Sequence, residues 1–184
     1  MGFTVQNSLR GVFTYRDPVD RVYRLKRDKE IVTNVAYSEF DTFGLVGSDA
    51  VEEGFIDRFN GPSPIRAELV AAIRGLRFAL ATTGGKLDKV KSKFEKGEPF
   101  TIVTSYPNIA RFALGGCGAQ VVDLWGEDKV PLGGIETYPD QYPYKVDAIF
   151  ELVRSGDSLR DNGLEIIADN LMDVDLMMVY KGEE

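Results

Sequence analysis

Between Val146 and Leu164 the chain reads VDAIFELVRSGDSLRDNGL, an apolar run that passes into a small, hydroxyl-rich loop. Ser155 and Ser158 flank Gly156, which can take the positive φ that ends a helix. Backbone N–H groups freed at such a break, with two hydroxyls beside them, can cradle a phosphate. An ordinary helix stop and turn fits the same residues, because Gly-Ser pairs punctuate chains generally. Val146, Ile149, Phe150 and Val153 fall at i, i+3, i+4 and i+7, which predicts a helix with one inward face leading into the loop.

Composition narrows the chemistry further. The 184 residues include no histidine, which removes imidazole bases, Ser-His and Cys-His pairs and His-ligated zinc together. Catalysis has to rest on carboxylates, Arg and Lys, hydroxyls, backbone amides or a hard cation such as Mg²⁺. A net charge of −7 opposes broad nucleic-acid binding but not capture of a small anion by a few focused cations. Cys117 is the only cysteine, so no intrachain disulfide is possible, and a reducing cytoplasm is expected. No apolar run approaches the ~20 residues that span a bilayer, and the start shows no secretory pattern. No membrane or nucleic-acid partner is expected.

The elements that must position these residues read as alternating strands and helices. Strands are predicted at Phe3–Gln6, Val22–Leu25, Phe43–Val46 (buried), Leu76–Thr82, Phe100–Thr104, Gln120–Leu124, Leu164–Ala168 and Leu176–Tyr180. Ile31–Tyr37 begins β-like and turns helical. Lys86–Lys96 is dense in charge and reads as a solvated helix. Ser105 is placed to N-cap a helix running to about Leu114, with Pro107 in its first turn. Gly61-Pro62-Ser63-Pro64 and most of the stretch from Trp125 to Tyr144 read as loop. The alternation predicts an α/β fold with largely parallel pairing.

Asp147-Ala148-Ile149 and Ser155-Gly156-Asp157-Ser158-Leu159-Arg160 resemble the phosphoribosyl-diphosphate (PRPP) loop of the ATP phosphoribosyltransferases, the family that opens histidine biosynthesis. That loop reads D-A-I-V-D-hydrophobic-V-x-[ST]-G-x-T-L-[KR]-x-N-G-L. Other segments follow in family order. LKRDKEIVTNVAYSEFDTFGLVGSDAV resembles R-x-x-D-I-P-x-Y-V-x-x-G-x-x-D-L-G-I-T-G-x-D, which sets Arg27 on the Arg, Glu30 and Asp41 on Asp positions, Gly44 and Gly47 on the glycines and Asp49 on the closing Asp. IVTSYPNIARFAL resembles V-A-T-K-Y-P-N-L-T-R-x-F, with Ser105 where the family has Lys. GGIETYPDQYPYKVDAI resembles G-S-V-E-x-A-P followed by D-A-I, which puts Glu136 on the family Glu. At the front, Arg10 stands for the Arg of a K-G-R loop, and the helix expected there is missing, so the chain resembles a shortened short form.

The resemblance implies a two-lobed fold of the type II periplasmic-binding-protein kind. Lobe one would be residues 1–81 plus 165–184, on the ATP side; lobe two would be 82–164, on the PRPP side, with the ligand cleft between them. It implies transfer of phosphoribosyl from PRPP to N1 of ATP with release of pyrophosphate. Arg27, Glu136 and Asp147 would be catalytic, and Glu136 with Asp147 would hold Mg²⁺. Asp147, Ser155, Gly156, Asp157, Ser158 and Leu159 would bind PRPP. Arg10, Arg27, Gly47, Ser105 and Tyr106 would bind ATP. It further implies an oligomer and a regulatory partner subunit. Two alternatives stay open: a non-catalytic nucleotide- or phosphate-binding module of this fold, and a phosphoribosyltransferase with another acceptor.

Overall fold

Two long strands carry the molecule in its computed structural model, which describes residues 4–7, 13–16, 22–24, 26, 28–39, 41–58, 65–123 and 146–182. They are β5 (Ile65–Thr83) and β9 (Leu164–Lys181), paired antiparallel from Ile65↔Lys181 to Thr83↔Leu164. Around them lie β4 (Phe43–Gly47), β6 (Phe100–Thr104), β7 (Ala119–Asp123) and β8 (Ala148–Val153). The sheet order is β4-β9-β5-β8-β6-β7. A separate antiparallel sheet joins β1 (Thr4–Asn7), β2 (Phe13–Arg16) and β3 (Val22–Arg24). The described α-helices are α1 (Asp28–Ala36), α2 (Ser48–Arg58), α3 (Leu87–Lys96), α4 (Pro107–Leu114) and a short α5 (Asp157–Asp161).

Apolar side chains gather at both ends of the β5–β9 ribbon. At one end Val32 and Val35 of α1 and Ala50 and Val51 of α2 pack on Val46, Ile65 and Val179. At the other end β5 turns Phe78 and Leu80 to one face and Ala79 and Ala81 to the other, and all four are buried. Phe78 and Leu80 join Val90, Phe100, Ile102, Ile109, Phe150 and Val174, while Ala79 and Ala81 join Val103, Ile149, Leu159 and Leu164. The sheet is therefore covered on both faces there. Between the two ends the register slips: Ala72 faces Asp175 but Arg77 faces Asp173. β5 bulges over this stretch, and Gly75 takes a φ of 75° that a side chain would oppose.

Several sequence expectations need correction. The predicted helix over Val146–Val153 is the strand β8. It lies between β5 and β6 with most of its residues buried, and a continuous apolar run satisfies helical spacing by accident. The two late strands are one, β9, whose polar middle follows the bulged partner; Asn170 enters a positive φ of 53° within it. Among the described residues pairing is mostly antiparallel, with β6–β7 and β6–β8 the parallel pairs. The residues of Phe43–Val46 form a half-buried strand, with Phe43 66% and Leu45 55% exposed. The charged helix α3 is solvated on one side only, since Val90 is fully buried and Phe94 packs edge-on against Phe100. The capping position of α4 is Tyr106 rather than Ser105, and its side chain makes no capping hydrogen bond.

Candidate functional site

β8 ends at Val153, and the hydroxyl-rich loop follows as the entry to α5. Gly156 sits at φ 79° as the residue before the helix. A Cβ there would meet only ordinary contacts with Arg160, Ile166 and Val153, so backbone conformation rather than space demands glycine. Leu159 anchors the turn, buried with Val153 and Leu164. The Asp157 N–H donates to Ser155 Oγ at 3.3 Å, and Arg160 pairs with the Asp157 carboxylate. The Ser155 hydroxyl first, and then Arg160, hold that carboxyl below its usual value. Ser155, Asp157 and Ser158 are all exposed. The loop is thus a turn anchored by Leu159, with hydroxyls and a paired acid on its outer rim.

Pairing registers show what else lies near it. Ile102 faces Ala148 and Val103 faces Ile149 in the parallel β6–β8 pair, so Ser105-Tyr106 and Ser155-Gly156 follow the same carboxyl edge. Ligands of α/β sheets collect beyond such edges. Val153 faces Arg77, which faces Asp173, whereas Gly47 faces Leu176. The carboxyl ends of β4 and β8 are therefore offset by three residues of β9 register, with β9 and β5 between them, ~14 Å across the sheet. Gly47 turns directly into α2, and a Cβ there would collide with Asp49 Oδ1. The Ser48 hydroxyl accepts the Asp175 N–H at 3.1 Å. Burial and the charge of Asp49 raise the Glu52 carboxyl above its ordinary value.

At the first turn of α4, Asn108 N–H donates to Glu53 Oε1 at 3.2 Å and Oε2 at 3.0 Å, and Ile109 N–H donates to Oε2 at 3.0 Å. The Asn108 side-chain amide returns a bond to the Glu53 carbonyl at 3.1 Å. Pro107 has no N–H, and the Ala110 N–H donates to Tyr106 O. An internal carboxylate from α2 thus fills the helix start beside Ser105 and Tyr106, which the resemblance assigns to ATP. Tyr106 meets Phe78 edge-on at 5.0 Å, which commits its ring to the core.

Asp147 lies at the other end of β8. Its Oδ2 accepts Lys93 Nζ at 3.2 Å and Thr101 N–H at 3.1 Å, while its carbonyl accepts the Thr82 hydroxyl at 2.6 Å. Eight residues of nearly extended chain separate it from Ser155, on the order of 25 Å. The structure does not bring Asp147 together with the loop. Asp147 Oδ2 is thus already held by an ammonium and an amide, and among the described residues no three acidic or thiol side chains are grouped for a metal. Arg10, Arg27 and Glu136 lie outside the described residues.

Sequence reasoning missed two residues. One is Glu53, whose only signal is a carboxylate three positions after Ala50 on a buried helix stripe. The other is Arg77, which meets Asp169 through Nε at 2.6 Å and Nη2 at 2.8 Å, and whose Nη1 donates to Arg154 O at 2.7 Å and Gly75 O at 3.1 Å. It braces the chain just before Ser155. Asp169 is 92 positions away, so no local pattern could reveal the pair.

The family model described as HisG, ATP phosphoribosyltransferase, matches residues 27–184. This chain belongs to the ATP phosphoribosyltransferase family. The family match includes both the Ser155–Leu159 loop and the Glu53–α4 contact. The chain is 30% identical over 148 residues to the ATP phosphoribosyltransferase of Clostridium botulinum (strain ATCC 19397 / Type A), covering 79% of this chain and 59% of that one. It is 29% identical over 156 residues to that of Neisseria meningitidis serogroup C, covering 83% and 63%. The chain thus spans about three fifths of these curated relatives. Among solved structures, the HisG:HisZ ATP phosphoribosyltransferase complex from Thermotoga maritima superposes with a TM-score of 0.57 at 21% identity, over 98% of this chain and 76% of that one. It shares the fold.

Proposed function

We propose that this protein transfers the phosphoribosyl group of PRPP to N1 of ATP, the opening step of histidine biosynthesis, in the cytoplasm. Family membership over residues 27–184 carries the reading. In that reaction the bond from ribose C1 to the diphosphate breaks, pyrophosphate leaves with the electron pair, and the N1 lone pair closes the new C–N bond. C1 gains oxocarbenium character, so positioning and charge stabilisation count for more than a strong base. A site without histidine suits such a step.

In this reading Ser155, Gly156, Asp157, Ser158 and Leu159 hold the 5-phosphate of PRPP, through backbone amides and the Ser158 hydroxyl. The parallel β6–β8 edge and the positive φ of Gly156 support that role. Gly47, Ser105, Tyr106, Arg10 and Arg27 serve the ATP side, with Arg27 neutralising the departing pyrophosphate. Glu136 is the acid of the site. Mg²⁺ enters as the counter-ion of the PRPP diphosphate rather than as a ligand of Asp147. Asp147 has a positioning role, tying β8 to α3 and β6. Two lobes close over the substrates, and the separation of the cores at the bulge supports a boundary near Gly75 and Asp175, a few residues before Ala81 on β5 and well inside β9. A regulatory partner and an oligomer belong to the same reading; the Thermotoga maritima protein is a HisG:HisZ complex.

The test is pyrophosphate release from PRPP with ATP and Mg²⁺, followed together with absorbance of an N1-substituted adenine. Turnover with another nucleotide but not ATP would select a different acceptor. The filling of the α4 first turn by Glu53 favours a second reading, a phosphate-binding module without turnover. Tight PRPP binding and no product, with or without a partner subunit, would establish that reading instead.

A further inference from the structure

We infer that Glu53 is a positioning residue: its buried carboxylate clamps the first turn of α4, fixes the Ser105-Tyr106 turn ahead of it, and links the two cores across the middle of the sheet. The inference rests on the nucleotide-side reading above for its functional arm only. Glu53 is 8% exposed and Asn108 5%. A carboxylate with so little solvent contact is tolerated when it is well bonded, and here it accepts from two adjacent helix N–H groups. Its negative charge also opposes the positive end of the α4 dipole.

The clamp joins two neighbouring helices whose buried residues belong to different cores. α2 packs on Val46 and Ile65 at one end of the ribbon, whereas Ile109 and Leu114 of α4 belong to the core at the other. The return bond from Asn108 Nδ2 to the Glu53 carbonyl makes the contact reciprocal. Ser105 and Tyr106 enter the helix directly from β6, so the angle of the first turn sets where they face. A ligand phosphate has no free amide at Asn108 or Ile109 to use. The ATP side therefore draws on this turn as a fixed wall rather than as an anion seat.

Glu53→Gln keeps the shape but replaces one acceptor oxygen with a donor that faces an N–H. Hydrogen exchange at the Asn108 and Ile109 amides should rise at least about tenfold, the loss expected for a charged hydrogen bond. The ATP dissociation constant should rise by a similar factor, while that for PRPP stays within about twofold because Leu159 anchors the α5 turn in a cluster other than the one that holds Ile109 and Leu114 of α4. Asn108→Ala removes the return bond and the bond that Arg111 Nη1 donates to Asn108 Oδ1, but leaves both main-chain N–H groups on Glu53, so exchange at Ile109 should remain near that of the parent. If Glu53→Gln fails to fold, Glu53→Asp, which keeps the charge on a shorter stem, should show the same changes. Unchanged exchange at both amides in a folded Glu53 variant overturns the clamp, as does an Asn108→Ala effect at Ile109 as large as that of Glu53→Gln. A parent chain that binds no ATP removes the nucleotide reading, and exchange alone then decides the clamp.

Discussion

Ser158 offers the most direct test of the phosphate loop. It is exposed on the rim of a turn that is otherwise held by buried Leu159. Ser158→Ala should weaken PRPP binding by about 1–3 kcal/mol, the value of a hydrogen bond to a charged partner. Calorimetry on a variant with an unchanged melting temperature checks this, and equal affinity would remove the residue from the site. Arg27→Ala should lower kcat by about two orders of magnitude if the guanidinium meets charge that develops only in the transition state. A rise in KM alone would assign Arg27 to ground-state binding. Asp169 supplies a pH test. Its hydrogen bond from Arg77 holds its carboxyl below the ordinary value, so the folded state binds a proton less readily than the unfolded one. The stabilisation is present above the unfolded pKa of about 4 and is lost as pH falls through the lower folded value. Arg77→Met should flatten acid unfolding in that range. An unaltered slope of stability against pH below about 4 would count against the pair.

At the scale of elements, the turn into α5 depends on backbone geometry. Gly156→Ala should cost about 1–2 kcal/mol, because a Cβ fits the space but not the φ of 79°. Gly156→Asn should cost less, since Asn tolerates the left-handed region. Chemical denaturation of both variants would read the difference, and equal stabilities would mean the turn adapts. The same element shows where sequence reading succeeded and failed. The loop itself, β6 and α3 were legible because Gly-Ser punctuation, a short apolar run and a charged amphipathic stretch are local signals. β8 was not, because Val146, Ile149, Phe150 and Val153 fit both a helix face and a strand buried on both sides. Glu53 and Arg77 were hidden for a different reason: their partners lie 55 and 92 positions away. The Asp147 match was legible, yet its distance from Ser155 depended on which element joins them.

At the scale of the whole molecule, each packed cluster among the described residues draws on the same late strand. Leu164, Val174 and Val179 of β9 each belong to a different one. Ile65 waits for Lys181, and Thr83 for Leu164. During synthesis at about 5–20 residues per second, then, neither end of the ribbon can close until its last described strand has left the ribosome. Pairings of such long sequence separation also make for slow folding, since loop closure precedes any reward from packing. Until then β5 presents an unpaired edge along most of its length, the kind of surface that recruits other chains. A nascent chain stalled before β9 should be a strong chaperone client and protease target, whereas release of the completed strand should protect both cores at once.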